Sequence, residues 1–226
     1  MKELFRGAWI IAKKDMAIEW RTKEIVVTTT LFAALVVILA SLSFYLTPAL
    51  ARQIAPGVLW ITITFSGIMA VGRGWARERE GSPLVGLLLT PVPRGSIFLG
   101  KWLANLVFMS AVELIITPLV ALFFHIDLLD IAGPLLLILS LGTAGFVAAG
   151  TLFGALGVRT EARGLALSVV VFPLVTPALL ASVVATKQLF AGVPLEGLEV
   201  WFRILVIFDL FFLVAGTALF DPLMSD

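Results

Sequence analysis

Two acids stand where the sequence offers them no water. Glu113 lies in the middle of the apolar run 102–124, and Asp209 near the middle of the run 201–220. A charged residue at the centre of a membrane helix costs ~3 kcal/mol on insertion scales, so each acid is expected to be protonated, paired or facing a water-filled path. The chemistry such acids support is proton-coupled transport along a lined pathway. The plainer expectation is a protonated acid bonded to Ser, Thr or Asn across a helix contact. No Lys or Arg lies deep in these runs as a counter-ion, so a proton relay is thinly supported. The single histidine, His125, stands beside Asp127 and Asp130. It lacks a second His or any Cys to complete a metal site, and no Ser-His-Asp pattern surrounds it. The stretch from Gly95 through Gly100 and Lys101 matches the first seven places of a phosphate-binding loop. The eighth must be Ser or Thr to hold magnesium; here it is Trp102, and no strand precedes it. The chain is therefore expected to be non-catalytic, with no nucleotide site of its own.

The elements that position these residues follow from composition. The chain has 226 residues, 60% hydrophobic and only 14% charged, against about 25% charged in soluble domains. It has no cysteine, which excludes disulfides, thiolate metal sites and covalent haem attachment. Apolar runs of ~17–25 residues cross a bilayer as helices. Six are present, at 25–46, 54–71, 102–124, 131–158, 165–185 and 201–220. Backbone polar groups must be paired within each segment in hydrocarbon, so an all-α polytopic membrane protein is predicted. The run 25–46 exceeds the ~7–15 residues of a signal-peptide core, so cleavage after Ala51 is not expected. All but Arg52, Lys187 and Arg203 of the 16 basic residues fall on one side of this topology. The positive-inside rule makes that side cytoplasmic, with both termini. Trp60, Trp75, Trp102 and Trp201 lie near span ends, where an aromatic belt is expected.

Residues 1–24 are too polar to span. Phe5, Trp9, Ala12, Met16 and Trp20 recur at steps of three and four, predicting an amphipathic interfacial helix that leads as an elbow into the first span. The domain 25–220 carries the spans, and 221–226 forms a cytoplasmic tail. The longest polar stretch is the connection 73–101. It holds Arg77, Glu78, Arg79, Glu80 and Gly81, then Ser82-Pro83 as a helix start, with Leu84, Leu87 and Leu88 as a short apolar face before Pro91 and Pro93. A short helix held outside the bilayer, with acid and base at its start, suits docking into a groove on a soluble partner. Gly150 and Gly154 form GxxxG, a spacing for close helix packing, within the chain or against a second copy. Pro173 and Pro177 share a face of the fifth span and predict a kink or hinge.

In this order, the pieces resemble a known family. They are Ala55-Pro56-Gly57-Val58-Leu59-Trp60 opening the second span, Glu78 to Gly81, and Gly86-Leu87-Leu88-Leu89-Thr90-Pro91 followed by Lys101. The glycine-rich fourth span, the loop with Arg159 and Arg163, and Phe172-Pro173-Leu174-Val175-Thr176-Pro177 complete them. The whole chain resembles the haem exporter protein B (CcmB) family, the permease subunit of the cytochrome c maturation ABC system. The resemblance implies a six-span permease like those of ABC-2 transporters, in a bacterial inner membrane. It implies ATP bound by a separate homodimeric cytoplasmic ATPase docked on the short coupling helix. Further partners would be a haem-handling membrane protein with a tryptophan-rich motif, a small accessory membrane protein and a haem chaperone. No nucleic acid is implied. Haem would be the handled or transported ligand, with no cofactor bound covalently. This chain lacks a tryptophan-rich motif and paired histidines, which favours mechanical coupling over direct haem passage.

Overall fold

The computed structural model describes residues 2–43, 47–79, 92–159 and 165–224. Among them are seven α-helices and no strand. They are α1 (Lys2–Thr22), α2 (Glu24–Ser43), α3 (Pro48–Arg79), α4 (Arg94–Phe124), α5 (Ala132–Arg159), α6 (Leu165–Phe190) and α7 (Glu199–Met224). Helices α2 to α7 each carry an apolar stretch long enough to cross a membrane. The protein is an all-α polytopic membrane protein.

Helix α5 sits at the centre, touching α3, α4, α6 and α7. Its composition explains the place. Ala148, Ala149 and Ala155 are fully buried. A methyl group on Gly142 would strike Trp60 and Ser182, and one on Gly154 would strike the Trp75 ring at 2.4 Å. Small residues let neighbouring backbones approach closely where burying apolar surface gains nothing over lipid. The apolar stretch of α5 is 72% buried, whereas that of α2 is 22% buried, so α2 presents most of its surface outward. Trp60 donates its indole N–H to Thr186 Oγ1 at 2.9 Å, tying α3 to α6, and Trp102 donates to the Ala144 carbonyl at 3.0 Å, tying α4 to α5.

Helix α1 packs along α4. A Cβ on Gly100 would lie 2.7 Å from the Ala8 carbonyl oxygen, so the two backbones are nearly in contact there. The stretch that imitates a phosphate-binding loop is thus the first two turns of α4, shaped to receive α1. Between α1 and α2 the chain turns at Lys23, which takes the left-handed conformation with φ 52°.

Two expectations are corrected. Trp60 and Trp75 are only 1% and 3% exposed, so they are core residues and not part of a belt. The exposed tryptophans are Trp9 and Trp20, both on α1. On that helix Phe5, Trp9 and Trp20 do face outward, but Ala12 is fully buried among Ala8 and Ile11 on the side toward α4. Helix α1 has two apolar faces, which a single stripe of threes and fours cannot separate.

Candidate functional site

At the end of the bundle where α1 lies, charges from three helices meet around a buried pair, Lys101 and Glu78. Lys101, in the second turn of α4, is 4% exposed. It contacts Glu78 Oε1 of α3 at 2.5 Å and Asp15 Oδ2 of α1 at 2.8 Å. Lys14 of α1 contacts the same Glu78 oxygen at 2.9 Å and Asp15 at 3.2 Å. Two ammonium groups therefore face two carboxylates, and the cluster is neutral as a whole. Burial pulls the Lys14 ammonium toward its neutral form, but Asp15 and Glu78 beside it outweigh this and hold its pKa above the ordinary lysine value. The Trp75 ring lies 5.6 Å from Lys101 Nζ, a cation–π distance.

A second set of charges continues from it. Arg77 donates to Glu19 of α1 at 3.1 Å and to Glu24 of α2 at 3.0 Å, and Arg73 also reaches Glu24 at 3.0 Å. Glu19 is 4% exposed, and its other oxygen accepts the Val26 backbone N–H at 2.9 Å, in the first turn of α2. One acid thereby satisfies an unpaired helix-start donor and holds α3. Asn105 donates to Thr151 at 3.2 Å, linking α4 to α5 just beyond the cluster. At the same end Arg94 pairs with Asp221 of α7 at 3.2 Å. The elbow, the end of α3, the start of α4 and the end of α7 are thus joined by charge.

A family model described as CcmB protein matches residues 6–220. The chain belongs to the CcmB family. Heme exporter protein B of Shigella flexneri is 30% identical over 215 residues, covering 95% of this chain and 93% of that protein. The protein of the same name from Escherichia coli K12 is 29% identical over the same length. That from Haemophilus influenzae is 27% identical over 187 residues.

In this CcmB chain, the residues picked for docking divide. Glu78 is 5% exposed with its carboxylate bonded inside the protein, and Arg77 is turned to α1 and α2. Arg79 ends α3. Glu80, Gly81, Leu84, Leu87 and Leu88 lie outside the described residues. The two intramembrane acids do not come together. Glu113 accepts a hydrogen bond from Thr143 on α5, while the Asp209 carboxylate rests on Gly145, where a methyl group would collide with Oδ1. Positions 143 and 145 are about 200° apart around a helix, so α4 and α7 place their acids on opposite sides of α5 at one level. A cavity of about 230 Å³ opens beside Glu113, lined by five leucines together with Ser110, Thr117 and Ser140. Gly154 holds Trp75 in the space a side chain would take, whereas Gly150 meets Val71 at ordinary contact distance. Helix α6 continues through Pro173 and Pro177, both exposed. His125 caps the end of α4 in the left-handed conformation. No group of three His, Asp or Glu side chains able to hold a metal occurs among the described residues.

Sequence reasoning missed Asp15, Glu19, Glu24 and Asn105, and it gave Lys14 and Lys101 no ion-pair role. One signal was available. Asp15 and Glu19 are four apart, on one face of a helix otherwise rich in Lys and Arg.

Proposed function

We propose that this chain is the membrane permease subunit of an ABC-type system that exports haem, or releases it to a chaperone, for c-type cytochrome assembly. It lies in the bacterial inner membrane with both termini and the 73–101 connection in the cytoplasm. ATP is hydrolysed by a separate homodimeric subunit that docks on the segment from Arg79 to Leu88. A tryptophan-rich haem-handling membrane protein, a small accessory membrane protein and a haem chaperone complete the assembly. Membership of the CcmB family and the names of its relatives support this reading. The observation that carries the mechanism is the bond that Lys101 donates to Glu78. Glu78 stands just before the docking segment, and Lys101 stands in the second turn of the helix that follows it. A push on that segment therefore moves α3 and α4 as one body, with α1 as the brace. Arg77 and Glu78 transmit the force, and the apolar face of Leu84, Leu87 and Leu88 receives it.

The test is capture of the ATPase subunit on the purified permease. Replacing Leu84, Leu87 and Leu88 by Ser is expected to lower capture at least tenfold while the permease still accumulates. Undiminished capture rejects docking there. The competing reading is a secondary transporter driven through Glu113 and Asp209. Their separate attachment to opposite sides of α5 favours packing, so Glu113→Gln, which keeps a hydrogen-bond acceptor for Thr143, is expected to leave haem release within about twofold of normal. Haem release by the unaltered chain without any ATPase, abolished by Glu113→Gln, moves the assignment to proton-coupled transport.

A further inference from the structure

Between α1, the start of α2 and the middle of α4 runs an apolar groove of about 350 Å³. Helix α1 supplies Met16 and Trp20, α2 supplies Val27, and α4 supplies Val107, Phe108 and Ala111. Trp20, Val27 and Val107 are 82%, 46% and 43% exposed, so the groove opens on the outer surface of the bundle. An apolar cavity of ~150 Å³ holds a benzene ring; this one has room for a length of hydrocarbon chain. Its rim is polar at Glu19 and Lys23. The Glu19 carboxylate is already committed to Val26 and Arg77. Lys23 is exposed and has no ion pair among the described residues. The same division runs along α1. Lys14, toward the bundle, is paired, while Lys2, Arg6, Lys13 and Arg21 are exposed without an ion pair among the described residues.

We propose that this groove binds one anionic phospholipid, with an acyl chain between α1 and α4 and the phosphate at Lys23. Charge complementarity selects the occupant. An apolar trough ends at an uncompensated cation immediately before α2, the helix that starts the first span, which is headgroup depth. A zwitterionic lipid offers the same chain, but its own cation opposes Lys23. The bound lipid borders Glu19, which holds Arg77 on the stalk of α3, so occupancy bears on the joint between elbow and stalk. This site stands independently of what the protein transports.

The test uses native mass spectrometry of the purified full-length chain, offered equal amounts of phosphatidylglycerol and phosphatidylcholine in detergent. Phosphatidylglycerol is expected to be retained about fivefold better, the factor one basic residue contributes near an anionic surface. Lys23→Ala removes the preference and leaves retention of phosphatidylcholine unchanged. Val107→Trp fills the groove and lowers retention of both lipids; Ala111→Phe serves the same purpose if the first variant does not accumulate. Equal retention of the two lipids by the unaltered chain overturns the proposal. So does an unchanged preference in Lys23→Ala, or unchanged retention in the filled variant.

Discussion

Replacing Lys101 with Met is expected to remove most of the protein from the membrane. The substitution keeps the length of the side chain but leaves Glu78 and Asp15 sharing Lys14 alone. Breaking a buried ion pair by removing one partner destabilises by about 3–5 kcal/mol, because a charge is left uncompensated. Glu78→Gln is expected to fail in the same direction, leaving two ammonium groups beside one carboxylate. The double variant, Glu78→Gln with Lys101→Met, restores neutrality through Lys14 and Asp15. Its stability should lie closer to that of the unaltered chain than either single variant does. A coupling of about 0.5–3 kcal/mol is typical of residues in one network. Thermal melts in detergent for the four proteins measure it directly. Strictly additive losses would show that the cluster does not act as a unit.

Gly100→Val tests the brace from the other side. Its Cβ would sit 2.7 Å from the Ala8 carbonyl oxygen and 2.7 Å from the Ile11 Cβ. The first is a backbone atom, so no rotamer change relieves the contact. Overpacking of this kind costs about 1–3 kcal/mol, and the release available here is for α1 to lift from α4. Lys101 then loses Asp15, because the lifted helix carries it away. Limited trypsin digestion is expected to cut at Lys13 and Arg21 at least tenfold faster in the variant. Gly133→Val is the control, since nothing lies within 4 Å of its Cβ. Equal cutting of Gly100→Val and control would mean that α1 is not held by this contact.

The six crossing helices were legible because hydrocarbon thickness imposes a length on them, and length survives any detail of packing. Their ends were not. The apolar run of the second span stops near position 71, yet α3 continues to Arg79. Arg73, Arg77 and Glu78 do not end it because acids and lysines of other helices meet them. Likewise α4 starts at Arg94, well before the apolar run, since Ser96 and Lys101 are buried against α1 and Glu78. Pairing partners distant in sequence convert polar residues into core, and a hydropathy profile records only the residue itself. The charge cluster was illegible for the same reason. Lys14 and Lys101 counted toward orientation, a role any basic residue fills, while Glu78, which both contact, lies on another helix, as Asp15 does from Lys101. Trp60 and Trp75 were misplaced because nearness to a span end says how deep a side chain lies and not which way it points. Gly142 and Gly154 opposite them decide that.

The cluster also sets an order of events during synthesis. Lys14, Asp15 and Glu78 are joined to the growing chain before Lys101 exists. At ~5–20 residues per second, the interval between Lys14 and Lys101 is roughly 4–17 s. Through that time the elbow has no finished seat, and the second crossing enters the translocon with an acid at its trailing end. The first hundred residues are therefore a single assembly step, closed by one late lysine. A nascent chain stalled before that lysine is added would hold its opening helix without the face that α4 supplies.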